Sequence, residues 1–149
     1  MEKLSEYADG FIVGTELCAT RLTRDFSLEE IIEVSHKAKQ MNKECFVMMN
    51  RVLHNKDIAN YEHVMKTVDS DAITGYIAGD IGILYIAKKM GLTHKIIYNP
   101  ETLLTNKFDV QFYHSKGLYG AYLAKEITLE DIIKVTENRP YKMFMYIHG

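Results

Sequence analysis

The feature that most constrains this chain is a regular alternation of short apolar runs with amphipathic segments along the whole sequence. The apolar runs are mostly continuous, which is typical of parallel strands covered on both faces. Repeated strand and helix units of this kind predict a single α/β domain over residues 1–149. Six strands are predicted, over residues 11–14, 45–50, 72–76, 95–98, 120–124 and 143–148.

The segments between these runs carry helix start and stop signals. Ser27 followed by Glu30 forms a capping box that starts a helix, and Gly91 and Gly117 are predicted to end two others. Helices are predicted over residues 2–7, 28–41, 60–68, 82–90 and 105–115, with a last one starting at Thr128.

Two of the predicted helix starts have nearly the same sequence. Ser27-Leu-Glu-Glu-Ile-Ile-Glu-Val matches Thr128-Leu-Glu-Asp-Ile-Ile-Lys-Val in character at each position, and both lead into an apolar strand. Such a pair is typical of repeated units in a barrel or a doubly wound sheet. Any two capped amphipathic helices also look alike, so internal duplication stays open.

Composition excludes several classes of protein. A net charge of -2 argues against a protein that coats nucleic acid, and no apolar run approaches the roughly 20 residues of a membrane-spanning helix. The acidic opening MEKLSEYADG is unlike a signal peptide. Cys18 and Cys45 are too few for a disulfide framework and lack metal-ligand spacing, so a reducing cytoplasm is the expected compartment and no metal site is predicted.

Polar residues after the predicted strands are the candidates for ligand binding, because ligands of parallel α/β folds bind at the carboxyl ends of strands. Three of the four arginines, Arg21, Arg24 and Arg51, lie in such positions, as does Thr105. Guanidinium groups bind carboxylate or phosphate in bidentate fashion, so the three arginines predict a site for an anionic ligand. Thr105 is included as a further ligand-binding residue. Ordinary exposed loop charge is the alternative.

Three further residues are the candidate catalytic groups. His148 ends the last predicted strand, where it suits a general base or a ligand, although a structural histidine is the alternative. Asp80 is first a helix N-cap and second a catalytic acid, and Asn50 follows the second strand. Cys18 would be reactive only if the neighbouring arginines lowered its pKa.

Several stretches together resemble peptidase family U32, the collagenase-like proteases. They are FIVGTELCATRLTRDFSLEEI, ECFVMMNRVLHN, AITGYIAGDIGILYIA, IIYNPETLLTN, GLYGAYLAKEITLEDI and MFMYIHG. The resemblance implies a TIM-barrel-like domain in which these six strands correspond to the second through seventh of the family barrel. The strand at the family's first position, before residues 2–7, is absent, so the barrel is expected to be incomplete.

The resemblance also bears on chemistry. It implies a peptidase, yet relatives of the family are also linked to hydroxylation of RNA bases and of quinone precursors. Some relatives bind an iron–sulfur cluster through cysteines that have no counterpart here, so no cofactor is expected in this chain. Arg21, Asn50, Asp80, Thr105 and His148 stand at strand ends that match commonly occupied family positions.

Two functions therefore remain in competition, and whether the chain is itself an enzyme stays open. One is a partial U32 barrel, a peptidase by family but inactive alone. The other is a module that binds RNA or another anion through Arg21, Arg24 and Arg51. A small phosphorylated substrate is a third possibility without a phosphate-binding glycine loop to support it. Because six parallel strands leave two open edges, a homodimer formed through those edges is expected.

Overall fold

The computed structural model describes residues 2–100, 104–137 and 141–147. Strands β1 to β6 span Gly10–Gly14, Glu44–Met49, Gly75–Ala78, Ile96–Tyr98, Gly120–Tyr122 and Lys142–Phe144. Helices α1 to α5 span Leu28–Gln40, Ile58–Val68, Ile83–Met90, Lys107–Ser115 and Leu129–Thr136. The strands are parallel and follow one another in the sheet in chain order, which confirms the predicted α/β fold and matches an incomplete TIM-like barrel.

The chain divides into two compact units, Met1–Ile77 and Ala78–Gly149. In the first, β1 pairs with β2 in parallel from Gly10 opposite Glu44 to Gly14 opposite Met48. Most residues of β2 and one face of each of α1 and α2 form the core of this unit. Its fully buried side chains include Ile31, Cys45, Val47, Met49, Tyr61, Val64 and Met65.

In the second unit, β4 pairs with β5 and β5 pairs with β6, again in parallel. Every residue of β4 and β5 is buried, as the continuous apolar runs predict. One cluster of this core joins α4, α5 and the residue after β5 through Val110, Val135 and Leu123. None of the described helices is long and apolar enough to cross a membrane.

The helix caps agree closely with the sequence. The Ser27 hydroxyl accepts a hydrogen bond from the Glu30 backbone, and the Glu30 carboxylate accepts one from the Ser27 backbone, so the predicted capping box is present. Thr128 caps α5 in the same way through the Asp131 backbone amide. Gly91 and Gly117 both adopt the left-handed conformation that commonly ends helices.

Several predicted element ends were wrong. The third strand lies over Gly75–Ala78 rather than 72–76, because Ala72 and Ile73 bond back to Ser70 in the turn after α2. The last strand stops at Phe144, the fifth stops at Tyr122, and residues 2–7 form only a single 3-10 turn, Glu2–Leu4. Buried turn residues are as apolar as strand residues, so hydrophobicity alone misplaces these boundaries.

Candidate functional site

The loop from Thr15 to Phe26, called here the arginine loop, joins β1 to α1. Its two ends meet where the Phe26 backbone amide donates to the Gly14 carbonyl at 3.0 Å. Inside it, the Asp25 carboxylate accepts a hydrogen bond of 2.8 Å from the Glu16 backbone amide. The loop is therefore closed on itself by backbone groups and one acidic side chain.

A second set of contacts ties the arginine loop to the residues after β2. The Asn50 side-chain oxygen accepts from the Thr20 amide at 2.8 Å, and the Arg51 amide donates to the Cys18 carbonyl at 3.1 Å. Beneath them, the buried Tyr61 hydroxyl lies 2.6 Å from the Arg51 carbonyl. Asn50, a predicted catalytic residue, is thus placed as a support for the loop backbone.

Arg51 has two roles in this arrangement. Its Nη2 group donates to the Glu16 carbonyl at 2.7 Å, and its Nε atom is buried with no hydrogen-bond partner among the described residues. A neutral carbonyl satisfies a donor without cancelling the charge, so the guanidinium holds the loop and leaves positive charge beside it.

Arg21 and Arg24 project from the outer part of the loop, where both are exposed. Arg21 has a φ of 57°, a conformation uncommon for a residue other than glycine, asparagine or aspartate. Arg24 forms an ion pair with Glu30 and lies 4.5 Å from the centre of the Phe26 ring. Both partners of that ion pair are substantially exposed, so an incoming anion competes with Glu30 at little cost.

These side chains surround an open cleft of about 450 Å³ in the first unit. Three arginines, Arg21, Arg24 and Arg51, line it together with Glu16 and Asp25. An adjoining apolar pocket of about 440 Å³ shares Arg21 and Arg24 and extends over the exposed face of β1. The arrangement offers guanidinium groups for an anion beside a surface that suits a flat or apolar group.

The remaining predicted site residues belong to the second unit or lie outside the described residues. The prediction that Asp80 is the N-cap of α3 is wrong: the N-cap is Gly82, and the Asp80 carboxylate accepts from the Gly82 amide at 2.7 Å in the turn before the helix. Thr105 was wrongly placed in a helix, because α4 begins at Lys107 behind its N-cap Asn106. His148 lies outside the described residues.

Neither cysteine is suited to nucleophilic chemistry. Both are free and fully buried. Burial raises the pKa of the Cys18 thiol to about 12, although Arg51 lowers it in part, and burial raises that of Cys45 to about 11. The charge of the arginine loop therefore does not activate Cys18.

The described residues do not fit a metal centre or an iron–sulfur cluster. No group of three His, Cys, Asp or Glu side chains in residues 2–100, 104–137 and 141–147 could hold a metal ion. Clusters of this kind need several cysteine ligands, and the two cysteines here are buried separately as free thiols.

Sequence reasoning missed several residues of these surfaces. Tyr61 was absent from the candidates because a tyrosine within an apolar helix face is typical of a core. Tyr146, which follows β6 and whose hydroxyl accepts a hydrogen bond from the Asn99 side chain, was missed because the last strand was extended to residue 148. Asp25 carries no motif, and its role depends on a bond to a residue nine positions away.

Comparison with known proteins agrees with the fold. A solved structure of a U32 peptidase superposes with a TM-score of 0.70 at 15% identity, covering 94% of this chain and 61% of that one. The tRNA hydroxylation protein P2 of Bacillus subtilis (strain 168) is 23% identical over 142 residues, 95% of this chain and 46% of that protein. An uncharacterized protease of Methanocaldococcus jannaschii is 28% identical over 132 residues, 88% of this chain and 32% of the relative.

The chain thus spans less than half the length of these two curated relatives. A model of peptidase family U32 matches all of it, residues 1–149. The order of the strands, the likeness to a solved U32 structure and this match lead to one conclusion: the chain belongs to peptidase family U32.

Proposed function

We propose that the first unit binds the phosphate backbone of RNA through the arginine loop, within a U32 protein that takes part in tRNA hydroxylation. The observation that carries the proposal is the open cleft lined by Arg21, Arg24 and Arg51. The name of the Bacillus subtilis relative supplies the class of RNA. The proposal assigns binding, and no chemical step, to the described residues.

The electrostatics of the cleft suit a phosphate more than a neutral ligand. Arg51 donates to backbone carbonyls and not to an acidic side chain. The ion pair of Arg24 with Glu30 is exposed, so a phosphate can replace the Glu30 carboxylate. Asp25 uses one carboxylate oxygen to accept from a backbone amide. Phosphate contacts of arginine give affinity that depends on salt and not on base sequence.

Peptide-bond hydrolysis is the second candidate, favoured by the family name and by the archaeal relative named a protease. The buried thiols of Cys18 and Cys45 give it no cysteine nucleophile, and the Asp80 carboxylate already accepts a hydrogen bond from the Gly82 amide. The geometry of the described residues therefore supports RNA binding better than proteolysis.

The test is fluorescence anisotropy of the purified chain with an unmodified tRNA transcript over a range of salt concentrations. The double variant Arg21→Gln with Arg24→Gln should weaken binding. It should also flatten the plot of log affinity against log salt, by about 0.8 for each phosphate that is no longer neutralised. The fold should be retained, because both side chains are exposed.

The matched control is Lys37→Gln with Lys39→Gln, which removes the same charge from the other end of α1. This pair should leave the salt dependence nearly unchanged. Equal reductions of affinity in both double variants would mean that net charge alone binds RNA, and absence of binding by the unaltered chain would refute the proposal.

A further inference from the structure

A second surface lies at the strand ends of the second unit. Tyr122 ends β5, and Tyr146 follows β6 by two residues. Their ring centres are 5.2 Å apart, and Tyr122 also stacks on Phe144 at 5.2 Å with an interplanar angle of 18°. Carboxyl ends of parallel strands share one edge, so these rings form a continuous aromatic layer, called here the tyrosine platform.

A buried amide fixes the outer ring of the tyrosine platform. Asn99, directly after β4, has only 3% of its surface exposed. Its Nδ2 group donates to the Tyr146 hydroxyl oxygen at 2.8 Å, and its backbone amide donates to the Ala78 carbonyl at 2.8 Å. A buried polar group of this kind is costly unless bonded, so the contact orients the ring of Tyr146.

The outer ring nevertheless remains available to a ligand. Tyr146 keeps 42% of its surface exposed, and the Lys125 ammonium lies 4.8 Å from its ring centre. Among the described residues, Lys125 forms no ion pair with an acidic side chain. Asn99, Lys125 and Tyr146 line a depression of only about 10 Å³, so a base would lie over the exposed ring and not inside this depression.

We propose that the tyrosine platform stacks one unpaired nucleobase on Tyr146, with the Lys125 ammonium pairing with the adjoining phosphate. Base stacking on an aromatic ring with a nearby cation is a common means of binding single-stranded nucleic acid. A ring held by the Asn99 hydrogen bond suits this use, because only the Lys125 side chain, which lies over that ring, must reposition on binding. The inference rests on the proposed RNA-binding function and adds an unpaired segment to its substrate.

The chain contains no tryptophan, so Tyr146→Trp introduces a single fluorescent reporter into the tyrosine platform. A single-stranded oligoribonucleotide should quench its fluorescence at saturation, and inorganic polyphosphate, which has no base, should not. The matched control is Tyr85→Trp on α3, where the native side chain is 80% exposed, and it should show no quenching.

Affinity gives an independent measurement. Tyr146→Ala should weaken oligoribonucleotide binding by about tenfold with an unchanged salt dependence, and Tyr146→Phe, which keeps the ring, should weaken it much less. Thermal melting of both variants, followed by circular dichroism, checks folding, because Tyr146→Ala and Tyr146→Phe both remove the acceptor of the Asn99 amide.

The outcomes separate this inference from the function on which it rests. Salt-dependent RNA binding with no quenching and an unaffected Tyr146→Ala variant would overturn the tyrosine platform alone. Absence of RNA binding, with quenching by adenosine monophosphate, would overturn the proposed function and keep the platform as a nucleotide site. A tryptophan signal that changes only with protein concentration would overturn the platform as a base-binding site and assign the surface to a second protein chain.

Discussion

Cys18 shows how burial outweighs a neighbouring positive charge at the scale of one residue. Its thiol is fully buried within the arginine loop, and its pKa is raised to about 12 even though Arg51 acts in the opposite direction. The thiolate needs solvation that a guanidinium fixed on backbone carbonyls does not replace. Burial in the arginine loop therefore keeps the Cys18 thiol protonated and unsuited to act as a nucleophile.

Both thiols are expected to resist modification in the folded chain. Ellman's reagent at mildly alkaline pH should react slowly with native protein and rapidly once guanidinium chloride unfolds it, because Cys18 and Cys45 are buried and protonated. Cys45→Ala isolates Cys18 for the same measurement. Immediate reaction of one thiol in the native chain would contradict the burial of both.

The same shifts give stability a pH dependence of known sign. The folded-state pKa of Cys18 is raised from an ordinary 9.0 to about 12, so the stabilisation is complete below pH 9.0 and is lost as pH rises toward 12. The unfolded chain releases the proton first over that range. Urea titrations at a series of pH values above 9.0 should show the free energy of unfolding falling more steeply with pH in the parent than in Cys18→Ala.

The backbone conformation of Arg21 could not be predicted from the pattern of residues around it. Its left-handed backbone is set by the closed loop rather than by its own preference, because only glycine, asparagine and aspartate adopt that region readily. Asn42, which has a φ of 56° after α1, is the kind of residue that sequence reasoning expects there. Loop conformation at Arg21 depends on bonds between the loop and residues about thirty positions away, such as that of Thr20 with Asn50, and no local motif encodes those.

At the scale of elements, the helix starts capped by Ser27 and Thr128 were predictable, whereas the start of α4 and most strand ends were not. The Ser27 and Thr128 caps bond backbone amides three residues away, so the signal and its partner are close in sequence. A strand ends where its neighbour stops pairing, as β6 does at Phe144 opposite Tyr122. That partner lies elsewhere in the chain. The apolar run from Met145 onward therefore led to a predicted strand longer than the observed β6.

The pairing of β5 with β6 depends on a glycine. A Cβ atom at Gly120 would lie 2.5 Å from the Lys142 carbonyl oxygen and 2.7 Å from the Phe144 ring. Gly120→Ala should therefore destabilise the chain by about 3 kcal/mol, since backbone must move to admit the methyl group.

The control is Gly91→Ala, where nothing lies within 4 Å of the new atom but φ is 73°. Only the left-handed strain of about 1 kcal/mol applies there. Urea denaturation of both variants measures the difference. Equal destabilisation would show that the close approach of β5 and β6 at Gly120 does not limit stability.

At the scale of the whole molecule, β1 and β6 are the terminal strands of the six described. An unpaired strand edge favours association with another chain, so we expect a dimer formed through such an edge. Multi-angle light scattering should show a concentration-dependent dimer, and Ile12→Lys, at a half-exposed position of β1, should shift it toward monomer.

Leu4→Lys is the control for that measurement, because Leu4 is 60% exposed and lies outside the strands. It should leave the dimer unchanged. A clean monomer across micromolar concentrations would refute association through the sheet edge.

The hydrogen bonds that hold the arginine loop determine which of its residues can be substituted without loss of folding. Its shape is held by backbone amides and carbonyls, with Asn50, Arg51 and Tyr61 supplying support from behind. Exposed positions such as Arg21 and Arg24 can therefore mutate with little penalty to folding. Under the proposed function, substitutions that change ligand choice and substitutions that change stability would therefore fall on different residues of the loop.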